Sequence, residues 1–229
     1  MPKYNVTMYC QATADYQVDA VDEDDAREKA LQRSNEQTEE EFFATRKNKY
    51  GRFLSELTLG VIGIGRIGSR VGRAAVGLGM TVLTNDIKDI ELDYPAEAVD
   101  KPSLYARSDI VTIHVPLTDL TREMIDAEAL GRFKGGAQLI NAARGACVVA
   151  ADLADAVKSG HIAGAVIDCH EPEPPPLDYP LIGLENVILT PHVAARVPAA
   201  LENMCDVVYD VEAVVAGRTP KFPAAEGSY

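Results

Sequence analysis

Residues 59–79 read LGVIGIGRIGSRVGRAAVGLG, and this stretch decides the fold. A short apolar run, Leu59 to Ile64, carries the first of three glycines, Gly63, Gly65 and Gly68. Ile67, Val71, Ala74, Ala75 and Leu78 then recur at helical spacing, so the order is strand, tight turn, helix. Each glycine has its own task in such a turn. The first permits the bend, the second lets the backbone approach a pyrophosphate, and the third lets the helix lie close to the strand. The start of the helix adds free N–H groups and the positive end of a dipole. Glycine-rich turns also occur for packing alone, so the context matters. A second apolar run, Met80 to Leu83, leads to Asp86, eighteen residues after Gly68. An acid there can accept from the adenosine ribose hydroxyls and repels a 2′-phosphate, which favours NAD over NADP.

Downstream the same alternation continues. Strands are predicted at Leu59–Ile64, Thr81–Asn85, Ile110–His114, Ala137–Asn141, Ala163–Asp168 and Val187–Thr190, with helices or loops between them. Such βαβ order implies a parallel sheet covered on both faces, a doubly wound α/β (Rossmann) domain over residues 54–229. The prolines of EPEPPP, Glu171 to Pro176, remove backbone donors and fix φ, so this piece is a stiff loop. A last helix is expected from Pro198 to Ala216, with Leu201, Met204, Cys205, Val208, Val211 and Val215 on its apolar face and Gly217 as its stop. The tail to Tyr229 is expected to be extended or loose.

Upstream the pattern is different. Tyr4, Val6, Met8, Cys10 and Ala12 alternate, as do Tyr16, Val18 and Ala20, which predicts a hairpin turning at Thr13 to Asp15. Asp22 caps a helix with an acidic first turn and a weak apolar face of Ala26, Ala30 and Leu31. A polar stretch from Ser34 to Phe53, anchored by Phe42 and Phe43, completes a small ββα appendage at residues 1–53.

Composition narrows the class. The chain has 229 residues and is 47% apolar, enough for a substantial core. A net charge of −13 argues against nucleic acid or an anionic membrane surface as a partner. The four cysteines are widely spaced and form no C-x-x-C pair, so they read as buried apolar residues or free thiols in a reducing compartment. With neither a signal-peptide pattern nor an apolar run of membrane-spanning length, a cytoplasmic protein is expected. No residues are assigned to a metal.

Ligands of a doubly wound sheet gather at the carboxyl ends of its strands, where Asp86, His114, Asn141 with Arg144, Asp168 with Glu173, and His192 are predicted. An arginine fork binds a carboxylate through two parallel hydrogen bonds. A histidine paired with a carboxylate suits proton transfer near neutral pH, because the acid fixes its tautomer and stabilises the imidazolium. Beside a nicotinamide, these groups form a hydride-transfer site. His161 and His170 are expected to be surface or loop residues.

Five segments, GVIGIGRIGSRV, SDIVTIHVPLTDLTREMID, GGAQLINAARGACVV, SGHIAGAVIDCHEPEP and ENVILTPHVAA, resemble in order and spacing the motifs of the D-isomer-specific 2-hydroxyacid dehydrogenases over roughly residues 54–220. The resemblance implies an NAD-dependent oxidoreductase that interconverts a small 2-keto acid and a D-2-hydroxy acid. It implies that Arg144 binds the substrate carboxylate and polarises the ketone, that His192 is the general acid, and that Glu173 is its partner. Gly63, Gly65, Arg66, Ile67, Gly68 and Asp86 would hold the adenosine diphosphate half, and His114, Val115, Pro116, Ala143, Asp168 and Ala194 would lie near the ribose and nicotinamide. A homodimer formed through the nucleotide-binding domains is implied as well. The family's usual substrate-binding half, on the order of 100 residues, is expected to be truncated or replaced by residues 1–53. That departure motivates an alternative, a non-catalytic NAD(H)-binding or assembly module. Smaller departures are Ala146 and Ala195 at usual glycine positions, Val149 where an acid is common, and His170 where an aromatic is usual.

Overall fold

The computed structural model describes residues 3–9, 13–19, 22, 24–26, 28–29, 51–221 and 223. The chain divides into two units, Met1–Arg52 and Phe53–Tyr229. In the first, β1 (Lys3–Tyr9) and β2 (Thr13–Asp19) pair antiparallel, with Tyr4 opposite Val18, Val6 opposite Tyr16 and Met8 opposite Ala14. This register puts Thr13 to Asp15 inside the ladder, opposite Tyr9 to Thr7, so the chain reverses earlier than the alternation alone implies. Asp22 Oδ1 accepts from the Asp25 N–H at 2.9 Å, the cap expected there. Cys10, Ala30, Leu31, the segment with Phe42 and Phe43, and the tail from residue 224 lie outside the described residues.

The second unit runs β3 (Thr58–Ile62), α1 (Gly68–Gly77), β4 (Thr81–Asn85), β5 (Glu97–Ala98), α2 (Lys101–Arg107) and β6 (Ile110–Ile113). It continues through α3 (Ala127–Gly131), β7 (Ala137–Asn141), α4 (Ala150–Lys158), β8 (Ile162–Ile167), β9 (Val187–Leu189), α5 (Pro198–Cys205) and α6 (Val207–Val215). Its seven strands lie in the order β5-β4-β3-β6-β7-β8-β9, and every adjacent pair is parallel. The chain therefore builds outward from β3 in one direction, returns, and builds outward from β6 in the other. The β3/β6 boundary is the switch point of a Rossmann sheet, where the crossovers diverge and leave a crevice.

Apolar residues on the two faces of the sheet feed two clusters. On one face Leu59, Val61 and Val82 meet Ala75 of α1 and Met80. On the other, Ile62, Leu83, Val111, Ile113, Leu139 and Ile167 meet Leu104, Leu130 and Leu153 of α2, α3 and α4. Burying each such leucine contributes about 1.5–3 kcal/mol. The short helices are set by their first residues: Asp100 accepts from the Ser103 N–H and Asp126 from the Ala129 N–H, each at 2.8 Å.

Two expectations are corrected. The buried face of α1 is Gly68, Gly72 and Ala75, whereas Ile67 is 66% and Leu78 59% exposed. The helix lies so close to its neighbours that its fully buried face needs its smallest residues; Val71 and Val76 pack half-buried at its edge, and the cap residues Ile67 and Leu78 turn outward. The last helical stretch is two helices broken at Asp206, and Met204, Val208, Val211 and Val215 are exposed. The clusters of the sheet are completed by α1 to α4, so among the described residues α5 and α6 add only Ala213 to those buried in this unit.

Candidate active site at the carboxyl end of the sheet

The glycine turn sits at the switch point. Ile62, the last residue of β3, accepts from the His114 N–H at 2.7 Å, and the Gly63 N–H donates to the Asn85 carbonyl at 2.8 Å. Gly63 has φ +91°, a backbone conformation that glycine adopts without strain. A Cβ on Gly68 would be driven into the Gly63 carbonyl oxygen, so α1 can start against β3 only as glycine. At Gly65 the same addition meets nothing within 4 Å. Its backbone faces open space, a cradle that a side chain would partly fill and that a pyrophosphate fits. Asp86 braces the turn: Oδ2 accepts from the Ile64 N–H at 2.7 Å and Oδ1 from the Lys88 N–H at 3.0 Å. Each oxygen keeps a lone pair for a ribose hydroxyl.

Gly63, Gly65, Asp86, His114, Val115 and Pro116 line one cavity of about 540 Å³, inside the usual range of about 300–1,000 Å³ for small-molecule sites. Arg66 and Ile67 are exposed on the turn, Gly68 is buried beneath it, and none of the three lines this cavity. The loop after β6 contributes Thr118, Leu120, Thr121 and Met124 to the wall, and Lys101 comes from the start of α2. The sequence reading missed these five, although four follow directly on the HVP segment that it did single out. His114 Nε2 lies 3.0 Å from the Thr112 hydroxyl, and burial pulls its pKa below the ordinary histidine value, favouring a neutral ring beside the cavity.

The candidate catalytic residues stand further along the same strand ends. After β7, buried Asn141 folds the chain back on itself: its Oδ1 accepts from the Ala143 N–H at 3.0 Å and its Nδ2 donates to the Arg144 carbonyl at 2.9 Å. This turn buries Ala143 and leaves Arg144 exposed, with Nη1 donating to the Ala143 carbonyl at 2.6 Å. The remaining N–H groups of the guanidinium offer a planar fork to an anion. The buried Cys169 thiol donates to the same carbonyl at 3.4 Å, and burial pushes its pKa up, so it stays protonated.

Asp168, at the end of β8, organises the turn that bears His192. Its Oδ1 accepts from the Thr190 hydroxyl at 2.5 Å and the Val193 N–H at 2.9 Å, and its Oδ2 from the Ala194 N–H at 3.0 Å. Burial raises this carboxyl's pKa, but these three donors and nearby His192 outweigh it and hold the group below the ordinary 3.8. Within the turn His192 has φ +52°, a strained conformation for a residue with a side chain. Glu173 meets it: His192 Nδ1 lies 3.0 and 3.1 Å from the two carboxylate oxygens. The carboxylate fixes the proton on Nδ1 and leaves Nε2 for chemistry. Both side chains are a little over 40% exposed, so the pair adds little to stability.

Thus the structure pairs Glu173 with His192, ties Ala194 to Asp168, and gathers the glycine turn, Asp86 and His114 into one cavity. Arg144 has no direct hydrogen bond to the Glu173–His192 pair among the described residues; Ala143 and Cys169 link its turn to the β8 end. His170 is a loop residue, one of the two positions expected for it, but a buried one, only 5% exposed. No group of three or more metal-ligating side chains occurs among the described residues.

The sequence and the fold have known relatives. Residues 26–194 match the model of the D-isomer specific 2-hydroxyacid dehydrogenase family, NAD binding domain. The chain belongs to this family. The matched span begins upstream of the motif region, within the segment read from sequence as an appendage. A glyoxylate reductase from Korarchaeum cryptofilum is 42% identical over 177 residues, which cover 76% of this chain and 51% of that protein. Among solved structures, D-lactate dehydrogenase with NAD+ from Lactobacillus jensenii superposes with a TM-score of 0.71 at 30% identity, covering 77% of this chain and 58% of that one. A family member from Xanthobacter autotrophicus Py2 in complex with NADPH gives 0.70 at 31% identity, covering 80% and 78%. The chain spans about half the length of the curated relatives it matches.

Proposed function

We propose that this chain binds NAD and carries the proton-handling residues of an oxidoreductase that interconverts a small 2-keto acid and its D-2-hydroxy acid. The observation that carries the reading is the His192–Glu173 pair, at 3.0 Å, on the same sheet end as the glycine turn. A purely binding domain has no use for an imidazole held in one tautomer at a solvent-open rim.

Bound NAD supplies the acceptor or donor of hydride. The chain's own residues do the rest. The open backbone at Gly65 and the start of α1 receive the pyrophosphate, and Asp86 receives the adenosine ribose. A second cavity, also about 540 Å³, adjoins Asp86 and is lined by Asp89, Glu91 and Asp100, with Lys88 as its only basic residue. A 2′-phosphate would face these acids, which supports NAD over NADP. Ala143, Asp168 and Ala194 hold the turns beside the nicotinamide end, and neutral His114 stands at the cavity wall. Arg144 grips the substrate carboxylate and polarises the carbonyl. In reduction, protonated His192 gives its Nε2 proton to the forming alkoxide while Glu173 holds Nδ1–H; in oxidation it takes that proton back.

The reading extends to a homodimer formed through the nucleotide-binding domains and to a cytoplasmic setting, the latter supported by free Cys147, Cys169 and Cys205. Sedimentation equilibrium tests the dimer, and a monomer at assay concentration removes it. The reaction is tested by following NADH consumption with a panel of short 2-keto acids. Turnover with at least one acid, abolished in Arg144→Ala, is expected. NADH binding without turnover on any acid would favour the non-catalytic module.

A further inference from the structure

His170 lies between the two turns and the loop that carry the three candidate catalytic residues. Its Nε2 is 2.8 Å from the Thr190 carbonyl oxygen, and a carbonyl only accepts, so Nε2 carries the proton. That carbonyl also accepts from the His192 N–H at 3.0 Å, which places the His170 hydrogen bond at the base of the turn bearing His192. Three residues on from His170 the chain reaches Glu173. On the other side, an added Cβ on Gly145 would collide with the His170 carbonyl, so the turn after Arg144 is seated against the His170 backbone. One buried residue therefore touches the Arg144 turn with its backbone and the His192 turn with its ring, and it leads into the Glu173 loop.

The ring is retained at a cost. Tyr179 packs edge-on against it, with centroids 5.6 Å apart, a contact phenylalanine could make equally well. Its Nδ1 is buried and has no hydrogen-bond partner among the described residues, a desolvation penalty that phenylalanine would avoid. What histidine adds over phenylalanine is the Nε2–H. The His192 turn needs such a brace because φ +52° persists only where the surroundings over-determine it. Asp168 fixes the side of the turn beyond His192 through Val193 and Ala194 and holds the Thr190 hydroxyl, and His170 holds the Thr190 carbonyl on the side before it.

We propose that His170 is a positioning residue whose Nε2–H, donated to the Thr190 carbonyl, holds the turn in the geometry that lets His192 reach Glu173. This deepens the oxidoreductase reading and rests on it. The test uses the full chain labelled with ¹⁵N-histidine, whose four imidazoles are few enough to assign. Wild type is expected to show neutral His170 as the Nε2–H tautomer and neutral His192 as Nδ1–H. In His170→Phe the His192 signal becomes a tautomer mixture. In the same variant kcat falls roughly tenfold, as loss of one buried hydrogen bond implies, while KM for the keto acid and NADH affinity stay as in wild type. His170→Gln, which restores a donor at similar reach, recovers most of kcat. An Nδ1–H tautomer for His170 in wild type overturns the proposal even if the phenylalanine variant does not fold. So do an unchanged His192 signal and unchanged kcat in His170→Phe. A wild type that turns over no acid refutes the oxidoreductase reading instead, and the tautomers still decide the role of His170.

Discussion

The glycine turn and the His192 turn stand at the same end of one sheet, yet they are held by opposite means. At Gly63 to Gly68 the backbone does the work. Gly63 and Gly68 carry no side chain because the strand ends and the helix start press together there, and the open space at Gly65 is the proposed seat of the pyrophosphate. At Thr190 to Ala194 side chains do the work. Asp168 and His170 gather four hydrogen-bond donors or acceptors around a residue with positive φ, and the proposed functional group is a half-exposed side chain. The first arrangement fails when an atom is added, the second when one is removed.

The largest effect expected is on chemistry, not folding. His192→Asn should lower kcat by roughly 10²–10⁴-fold, while stability by denaturant titration changes by less than about 0.5 kcal/mol, since the side chain is half exposed. A comparable loss of stability would mean that the His192 turn depends on the side chain it displays. Gly68→Ala should do the reverse, costing about 3 kcal/mol or more because backbone must move, with NADH affinity falling alongside; a neutral result would refute the close approach of α1. Asp168→Asn leaves one of three donors facing an amide N–H, and should cost about 2 kcal/mol. Its contribution has a defined pH window. The folded pKa lies below the ordinary 3.8, so the stabilisation is full above that value and is lost as pH falls through the folded one. Acid unfolding of wild type and Asp168→Asn should therefore converge at the lowest pH. The smallest effect sharpens the contrast most: Gly65→Ala should leave stability within about 0.5 kcal/mol yet weaken NADH roughly tenfold. Unchanged NADH affinity would mean that the open space at Gly65 is not the pyrophosphate cradle.

The same contrast explains what the sequence revealed. Gly63 was legible because its turn makes a backbone demand that few other residue types meet, and Gly65 and Asp86 because the dinucleotide pattern sets their spacing. The strand pattern placed Arg144, Glu173 and His192 at one sheet end, and the structure adds the contact between Glu173 and His192. His170 was not legible. Its neighbours in sequence give a loop, and only the packing of Thr190, Gly145 and Tyr179 around it makes that loop residue buried. The outward turn of Ile67 and Leu78 was hidden for a related reason, since apolar periodicity ranks residues by size while the close-packed face of α1 selects the smallest. The valines of α6 keep helical spacing, yet among the described residues of this unit no second layer covers them.

Hydride transfer itself can be followed atom by atom. NADH deuterated at both C4 positions, incubated with the chain and a panel of short 2-keto acids, is predicted to yield a D-2-hydroxy acid bearing one deuterium at C2 by mass spectrometry. Wild type should form it and His192→Asn should not. A chain that binds NADH yet transfers deuterium to none of the acids would contradict the account.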